Sequence, residues 1–477
     1  MTKELIKSLI ISATLFLPSE IDAQDFFKKF GSDLLQDSLP ASWQMTQQCH
    51  QTLPTDDAWW KSFQDPLLTE LIEKAVANNF SLASAVKRID MADKMVLQAK
   101  GGYFPNLSAA AGWSINRDSG AAEKIVVPSS TSSAFSLGAT MNWEIDVFGR
   151  VRQNVKAKKA AYYASRADYD AVMVSLCAQV ADAYLQLRTT QEQIKMANEH
   201  IEYQDRVVKI TEARFDAELA SMLDVTQAKI VLYSTQSSLP SLQAKVKTLI
   251  NSIAVLVGER PEAIHEKLMH YTPMPGFVQL ISAGVPADLI RRRPDIVQAE
   301  LQLAEYAALI GVAQKDFLPV LNLSGSIGTS AHNAKNLFGD NSLYYSVAPQ
   351  LSWTIFDGFA RSARKAEAKL QMEAAIDDYN LTVSNAIEEV DNALIQYSAI
   401  LDAIALQRKV VVESHKSMVL SVDLYKNGLT AFSNVVDGQV SYLENQNELV
   451  ELEGNALSTL VSIYKALGGG WTIASDK

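Results

Sequence analysis

The residue types that most often carry catalysis or bind metals are few in this chain and are not grouped. Six histidines are scattered through 477 residues, and the closest pair, His265 and His270, has a spacing that matches no strong metal motif. The sequence contains no Gly-rich phosphate loop, no His-Glu-x-x-His motif and no Gly-x-Ser-x-Gly elbow. We therefore expect no enzyme activity, no cofactor and no metal site.

The charged and thiol groups point away from two further classes of protein. A net charge of −11, with no basic patch interleaved with aromatic residues, argues against nucleic acid as a partner. The basic run Arg291-Arg292-Arg293 is followed by Pro294 and Asp295, which are typical of the start of a helix, so a structural role is expected for it. Cys49 and Cys177 are expected to be unpaired thiols, because nothing in the sequence places them together, with a disulfide between them as the alternative.

The element that organises the chain is the stretch from Arg150 to Leu239, which contains no Gly or Pro. Helices of globular proteins rarely exceed about 20 residues, so this stretch indicates a coiled coil or a helical tube. Apolar residues recur there every seven positions, which predicts one face packed against a partner helix and left-handed supercoiling. The ladder consists of Val180, Leu187, Ile194, Ile201, Val208 and Phe215.

The same pattern occurs a second time, 210 residues later. The second ladder consists of Val390, Tyr397, Ile404, Val411, Met418 and Tyr425. Each copy predicts a long helix out, a tip near 216–221 or 426–431, and a helix back. We therefore predict helical hairpins at 150–257 and 359–467, the outgoing helix of each about 100 Å long at 1.5 Å rise per residue. Two ordinary helix pairs in a bundle remain possible only if these helices break at unmarked positions.

Ahead of each hairpin the hydrophobic period changes from 3.6 to 2. This alternation predicts strands at about 107–116, 135–145, 320–330 and 344–356, the length of tilted strands that cross a bilayer. One face is apolar with Trp and Tyr near its ends, which suits lipid, and the other is small and polar. The alternative is a half-buried antiparallel sheet in a soluble protein. The residues predicted to face lipid are Trp113, Leu137, Met141, Trp143, Ile145, Val347, Leu351 and Trp353.

Four strands are too few for a membrane barrel, since the smallest have about eight. An open sheet edge in lipid would leave backbone groups unpaired at several kcal/mol each, so it is excluded. If the strands cross a membrane, the protein must therefore oligomerise and share one barrel among its copies. Pro349 lies within the last strand, which we expect to bend there or to start late.

The sequence also predicts the domain organisation. Lys3 and Lys7 precede an apolar run, and small residues near Ala23 offer a cleavage point, so 1–23 is interpreted as a signal peptide, with a short buried helix as the alternative. No apolar run reaches about 18 residues, so no transmembrane helix is expected. The predicted parts are an extended segment 24–56, a first repeat 57–257 with its opening helix at 57–100, an irregular linker 258–294, a second repeat 295–467 and a tail 468–477.

Several motifs within this duplicated pattern resemble the TolC-like outer-membrane efflux proteins, in particular the OprM/NodT branch that serves resistance-nodulation-division pumps. The resemblance covers nearly the whole mature chain. It rests on Trp59-Trp60-x-x-Phe63-x-Asp65-Pro66-x-Leu68, on the stretch 285–296 around the arginine run, on Ile310-Gly311-Val312-Ala313 with Phe317-x-Pro319, and on Trp353-Thr354-Ile355-Phe356-Asp357-Gly358.

The resemblance implies a mixed α and membrane-β fold. It implies a homotrimer with a shared 12-stranded barrel in the outer membrane of a Gram-negative bacterium and a large periplasmic coiled-coil tunnel. It further implies docking to a periplasmic adaptor and to an inner-membrane resistance-nodulation-division transporter, so that the protein is a passive duct for small toxic compounds or drugs. The branch is commonly lipidated on a Cys after the signal, but no Cys occurs near residue 24, so lipidation is not expected here.

Two sites are implied by the same resemblance. The hairpin tips would contact the adaptor, with Glu218 standing where the family has Gly, which questions the turn geometry there. The tip residues are Arg214, Glu218, Leu219, Ala220, Ser221, Tyr425, Gly428, Leu429 and Thr430. A periplasmic gate would be formed by Asp437, at the position of an acidic ring, and Ser433, at the position of an apolar ring. Without the resemblance, Asp437 would be interpreted as part of a solvated helix face.

Two alternatives stand beside the efflux channel. One is a TolC-like channel for protein secretion or metal-ion efflux. The other, from a different class, is a soluble coiled-coil scaffold that uses the strands as a small capping sheet. The sequence does not reveal a substrate, because a passive duct leaves recognition to its pump.

Overall fold

The computed structural model describes residues 58–117, 131–276 and 292–469. The predicted signal peptide 1–23, the segment 24–56, Cys49 and most of the tail lie outside these residues. The chain is divided into two compact units. The described part of one is 88–117, 131–165 and 299–379; that of the other is 58–87, 166–276, 292–298 and 380–469.

The described elements follow the chain as helices, two strands, a helical hairpin, helices, two strands and a second helical hairpin. The helices are α1 (Pro66–Asn78), α2 (Phe80–Gly101), α3 (Arg150–Asp216), α4 (Met222–Val257), α5 (Pro261–Met269), α6 (Pro294–Lys315), α7 (Ala360–Lys426) and α8 (Phe432–Ala466). The strands are β1 (Asn106–Arg117), β2 (Thr131–Ile145), β3 (Val320–Ala331) and β4 (Leu343–Ser352). Short 3-10 helices occupy Trp59–Phe63 and Ala334–Asn336.

Corresponding helices of the two hairpins are nearly equal in length. α3 and α7 each have 67 residues, and α4 and α8 have 36 and 35. Pro240 lies inside α4 without ending it, although proline removes one hydrogen bond of the helix. The unbroken 67-residue helices exclude the alternative of ordinary helix pairs that break at unmarked positions.

The predicted opening helix of 57–100 is wrong as one element, because Asn79 divides it into α1 and α2. The backbone of Asn79 is extended, with φ −66° and ψ 129°. Its Oδ1 accepts from the backbone N–H of Ser81 at 2.8 Å and of Leu82 at 3.1 Å, and its Nδ2 donates to Leu256 O at 2.8 Å. Asn79 therefore caps α2, which apolar spacing alone does not reveal.

The linker 258–294 is also more regular than predicted, since α5 lies within it. Arg260 is the N-cap and Pro261 is the first residue of this helix, where a missing N–H costs nothing. Ile264 and Leu268 are buried and join the main core of their unit. The prolines of the linker led to the prediction of an irregular segment, although Ile264 and Leu268 have the four-residue spacing of a helix.

One described helix, α6, is long and apolar enough to cross a membrane by length and composition, with a mean hydropathy of 1.2. The sequence predicted no such helix, because Glu300 and Glu305 interrupt the apolar run of α6. Lys158 of α3 lies 3.8 Å from Glu305, so this part of α6 faces α3.

The sheet is antiparallel in the order β1-β2-β3-β4, so β1 and β4 are its edges. Residues that pair across the strands lie on the same face. The pairs Ala111↔Leu137, Leu137↔Thr329 and Thr329↔Leu343 join odd-numbered residues across all four strands. The register therefore places the odd-numbered residues of every strand on one common face.

Pro349 does not bend or delay β4, contrary to the expectation. Ser330 N donates to Ser342 O at 2.8 Å, so hydrogen-bonded pairs between β3 and β4 are formed by even-numbered residues. Leu323↔Pro349 is then a non-hydrogen-bonded pair, and the missing N–H of Pro349 faces away from β3. Within the protomer this position therefore costs no ladder hydrogen bond.

β4 ends earlier than the predicted residue 356, and Trp353 lies outside it. Arg361 explains this end, because its guanidinium donates to Thr354 O and, at 2.9 Å, to Asp357 Oδ2. The carbonyl of Thr354 is thus used by the start of α7 instead of the ladder. A third bond from Arg361 reaches Asp316 O at 3.1 Å.

Arg293, in the basic run before α6, has the structural role that the sequence predicted for the run, and Arg291 lies outside the described residues. Arg293 is 8% exposed and donates two bonds to the carboxylate of Asp295, at 3.0 and 2.7 Å. Its Nη1 donates to Glu389 Oε2 at 2.7 Å and to Ala466 O at 3.0 Å. Arg293 therefore ties the start of α6 to α7 and to the end of α8.

The two hairpins pack along α3 and α8. Gly454 lies so close to Thr189 that an added Cβ would be 2.6 Å from Thr189 Oγ1. Farther along, Gln193 Nε2 donates to Glu451 Oε1 at 3.1 Å, and His200 Nε2 is 2.5 Å from Gln446 Oε1. Side-chain hydrogen bonds therefore join α3 to α8 at these positions, which we call the α3–α8 seam. The strength of such hydrogen bonds depends on the charges around them.

Candidate functional site

The two hairpin tips have the same backbone although their sequences differ. Leu219 N donates to Arg214 O at 2.8 Å, and Leu429 N donates to Leu424 O at 2.9 Å. The residue before each leucine is left-handed, with φ +58° at Glu218 and +73° at Gly428. Both tips are thus Schellman turns. Glu218 thus forms the same left-handed turn as Gly428, although its side chain had put the turn geometry in question.

The return helices start differently at the two tips. Ser221 caps α4, since its Oγ lies 3.3 Å from Asp224 N and 2.8 Å from Asp224 Oδ1. Ala431 has no side-chain cap for α8. Next to it, Asn434 Nδ2 donates to Thr430 Oγ1 at 2.6 Å. The first tip is therefore the more firmly capped of the two.

Arg214 joins the two tips. Its Nη1 donates to Lys426 O at 2.6 Å and its Nη2 to Leu219 O at 3.4 Å. The guanidinium also lies 5.0 Å from the ring centroid of Tyr425. The sequence predicted that Arg214 contacts an adaptor, and the structure places its guanidinium between the two tips.

Tyr425 makes the second link. It is 6% exposed and packs in a small apolar cluster with Phe432, Val435 and Val208. Its hydroxyl donates to Asp224 Oδ2 at 2.9 Å. Burial, and then the bond to the Asp224 carboxylate, raise the pKa of Tyr425 to about 12. The hydroxyl therefore stays protonated at neutral pH and donates a hydrogen bond to Asp224 at the start of α4.

The outer surface of the tips is apolar. Leu219, Leu223 and Leu429 are 66%, 64% and 72% exposed, and Met222 is exposed beside them. Ser221 and Glu218 are exposed as well, while Ala220 and Thr430 are half-buried. Met222 and Leu223, which start α4, were not among the residues predicted for the tips. Ile230, seven residues after Leu223, is exposed as well. Apolar residues at this spacing could have indicated an exposed apolar stripe on α4.

The residues predicted for the gate lie one turn apart on α8. Ser433 and Asp437 are both exposed in the protomer. Neither side chain has a hydrogen-bond or ion-pair partner within the described parts of the chain. The position is compatible with a surface that faces either solvent or other copies.

The odd-numbered face of the sheet carries the residues predicted to face lipid. Trp113, Leu137, Val347 and Leu351 are exposed there, and Met141, Trp143 and Ile145 are half-buried. Trp353 follows β4 and is exposed. The indole N–H of Trp143 donates to Tyr103 O at 3.1 Å, and that of Trp353 to Phe317 O at 3.0 Å. Both indoles therefore stand at the strand ends, where a membrane surface would lie.

The even-numbered face is polar and made of small residues. Ser108 Oγ lies 2.7 Å from Thr140 Oγ1, and Ser326 Oγ lies 2.8 Å from Ser346 Oγ. Tyr344 is the large side chain on this face, and an added Cβ at Gly138 or Gly328 would lie 2.8 Å from its Oη. The contrast between the two faces suits lipid on one side and water on the other.

No metal centre is found within the described ranges, where no three His, Cys, Asp or Glu residues are grouped to hold an ion. Cys177 is a buried thiol of α3, and burial raises its pKa to about 12, so it stays protonated.

A sheet with one apolar face, two unpaired edges and a pair of 67-residue helices defines the protomer of an outer-membrane channel. The chain belongs to the outer membrane efflux protein family, whose model matches residues 71–259 and 285–469. It is an outer-membrane efflux channel with a large periplasmic portion.

Individual relatives support the same assignment. The pyoverdine export outer membrane protein OpmQ of Pseudomonas putida is 29% identical over 447 residues, covering 91% of this chain and 92% of the relative. Nodulation protein T of Rhizobium leguminosarum bv. trifolii is 28% identical over 415 residues, covering 87% and 88%. The solved structure of the outer-membrane channel OprN is 31% identical with a TM-score of 0.82, covering 91% of this chain and 97% of OprN. Family membership decides against the soluble scaffold.

Proposed function

We propose that this channel is the exit duct of a tripartite efflux system. It would form a homotrimer in the outer membrane, receive cargo from an inner-membrane resistance-nodulation-division transporter, and contact a periplasmic adaptor. The duct would be passive, with the energy supplied by the transporter. That the chain is a component of an efflux channel follows from its family.

The open edges of the sheet carry the proposal of a shared barrel. β1 and β4 each present a row of unpaired backbone groups next to an apolar face. In lipid these groups must be paired, so β4 of one copy would pair with β1 of the next. Three copies give twelve strands, which lies within the range of known barrels.

The tips support adaptor docking, because exposed leucines surround a rigid pair of turns. The docking surface would consist of Leu219, Leu429, Glu218, Gly428, Ser221, Ala220 and Thr430. Arg214 and Tyr425 would hold the tips in place. Exposed apolar residues that are rimmed by polar ones are typical of protein interaction sites.

Asp437 is proposed to form the gate together with Ser433. In a trimer three copies of Asp437 would face one axis and form a ring of carboxylates, which attracts cations and sets ion selectivity. Ser433, one turn earlier, would line the same constriction without an apolar seal.

Small molecules are the proposed cargo. The names of relatives mention pyoverdine, solvent and toluene, all of which are small compounds. Protein secretion or metal-ion efflux is the alternative within the same architecture.

The test is the mass of the detergent-purified protein with the detergent subtracted, followed by conductance in a planar bilayer. We expect a mass of three chains and a pore that conducts ions. A detergent-free monomer or dimer would contradict the shared barrel, and a trimer that does not conduct would contradict the duct.

A further inference from the structure

The two tips place opposite charges on equivalent backbone positions. With the repeat offset of 210, Asp216 corresponds to Lys426 and Glu218 corresponds to Gly428. The first tip thus carries two negative charges where the second carries one positive charge. The backbone turns of the two tips have the same geometry, so the tips differ in charge and not in backbone conformation.

The charges of the second tip are compensated and those of the first are not. Lys426 Nζ lies 3.4 Å from Asp423 Oδ1. Among the described residues, Asp216 and Glu218 have no ion-pair partner. Arg214, the nearest cation in the sequence, is engaged with two carbonyls and an aromatic ring. The exposed surface of the first tip is therefore acidic.

This acidic pair borders an apolar surface. Leu219 follows Glu218 directly, and Met222 and Leu223 start the return helix; all three are exposed. A partner that covers these side chains must bring its own charges close to Asp216 and Glu218. Like charges there would cost free energy, whereas opposite charges steer association and select the partner.

We propose that the first tip is the specificity-determining half of the docking surface and takes a basic group, a lysine or an arginine, flanked by apolar side chains of a helical partner. The second tip takes a neutral apolar group through Leu429. This inference rests on the proposed function, in which an adaptor docks on the tips. Asp216 and Glu218 are the residues that favour a basic partner through electrostatic attraction.

Synthetic helical hairpins serve as the probe, since the chemistry of the partner is the question. Three hairpins share one sequence with leucines at the tip and differ in two tip positions, which are Arg, Gln or Glu. Their association with the immobilised, detergent-purified channel is followed by biolayer interferometry at about 0.05 and about 0.5 M salt. Charges at the rim of an interface act mainly on the association rate, and salt screens them.

The Arg hairpin is expected to associate with the wild-type channel about tenfold faster than the Gln hairpin at low salt, and the Glu hairpin more slowly than both. The advantage should largely disappear at high salt. The double variant Asp216→Asn with Glu218→Gln should remove it. Glu218→Gly, which also restores the residue that the left-handed turn favours, should reduce it without loosening the tip.

Glu202→Gln is the matched control, because it removes an exposed carboxylate from the same helix far from the tip. It should leave the preference intact. Equal rates for the three hairpins, no binding of any hairpin, or a preference that survives in the double variant would each overturn the proposal. Binding of a second detergent-purified copy of the channel at the same surface, lost in the double variant, would assign the tips to self-association and overturn it too.

Failure here is separable from failure of the proposed function. The same preparation is weighed and its conductance measured. A conducting trimer without charge preference would contradict only the charge readout, whereas a non-conducting monomer would contradict the duct itself.

Discussion

The guanidinium of Arg214 is engaged through Nη1 and Nη2, while its buried Nε has no hydrogen-bond partner among the described residues. Two of its nitrogens bind carbonyls on different tips, and its plane lies over Tyr425. Lysine could not reproduce this arrangement, because an ammonium has no planar fork. At the scale of the residue, Arg214 therefore acts on the tips through geometry, and the charge that a partner meets belongs to other side chains.

Arg214→Lys is expected to loosen both tips while leaving the rest of the helices unchanged. Two hydrogen bonds to carbonyls are lost, each worth about 1 kcal/mol. Amide hydrogen exchange should therefore become roughly 5- to 30-fold faster at 214–221 and 424–431. Arg206→Lys, on the same helix but outside the tips, is the control. Unchanged protection of the tips in Arg214→Lys would contradict the clamp.

Asp437→Ala should change the ion selectivity of the pore or raise its leak conductance. The variant removes one carboxylate per copy from the proposed constriction, and cations lose the ring that attracts them. Reversal potentials in a salt gradient across a planar bilayer measure the effect. Asp402→Asn, an exposed carboxylate of α7, is the control. A pore with unaltered conductance and selectivity would remove Asp437 from the gate.

At the scale of the element, the register of the sheet refines the depth of each predicted lipid contact. The sequence placed Ile145 and Leu351 on the lipid face without a depth. The structure puts Ile145 at the last position of β2 and Leu351 at the second last of β4, near the indoles of Trp143 and Trp353. Val347 lies in the middle of β4 and pairs with Gly325.

Val347→Arg should therefore impair assembly by about 2–4 kcal/mol, and Ile145→Arg by about 0–1 kcal/mol, because the cost of a charge falls toward the membrane surface. Ser346→Arg is the matched control, since its side chain lies on the polar face beside Val347. The yield of folded trimer on a gel and its denaturant midpoint measure the effect. Equal tolerance of arginine at 346 and 347 would contradict the assignment of the faces.

The α3–α8 seam should make stability depend on pH through His200. Burial lowers the pKa of His200 most, and the positive field of His415 acts in the same direction. The bond to Gln446 and the charge of Glu199 oppose this shift. Tyr442 packs between the two histidines, 5.0 Å from each ring. The folded state therefore favours the neutral imidazole.

A lowered pKa means that the unfolded chain binds more protons than the folded one between the two pKa values. The contribution of His200 is thus fully present above about 6.5, its ordinary pKa, and is lost as the pH falls from there through the lower folded value. Thermal midpoints of wild type and His200→Gln, measured in detergent from pH 8 to pH 5, should converge or cross as the pH falls. A constant difference between them would contradict this.

The elements that could be predicted from the sequence are those with a long unbroken period. The order of strands and helices and the two hairpins follow from periods of 2 and 3.5 residues, because burial on one face requires them. The break at Asn79 and the end of β4 could not be predicted, since each depends on one side chain that binds a particular backbone carbonyl. Asn79 binds Leu256 O, 177 residues away, and Arg361 binds Thr354 O. The inward role of Arg214 was missed for the same reason.

At the scale of the whole molecule, the unpaired edges of the sheet decide the assembly. β1 and β4 run antiparallel to one another, because the sheet has four strands in alternating directions. β4 of one copy can therefore pair with β1 of the next in the same antiparallel pattern as within the chain. Twelve strands close without an edge when three copies join, whereas two copies would close eight.

Disulfide crosslinking between the two edges distinguishes these closures. In a background where Cys49 and Cys177 are replaced by Ser, one cysteine is placed on the polar face of β1, as Ala110→Cys. The second is placed on the polar face of β4, at Ser346, Ala348 or Gln350 in turn, because the register between copies must be scanned. Oxidation in the outer membrane should give, for at least one pair, a covalent ladder that ends at three chains on a non-reducing gel. Thr140→Cys with Ser346→Cys, which puts one cysteine on the interior strand β2, should give no ladder. A ladder that ends at two chains would indicate a closed eight-stranded barrel, and it would contradict the trimer on which the ring of Asp437 depends.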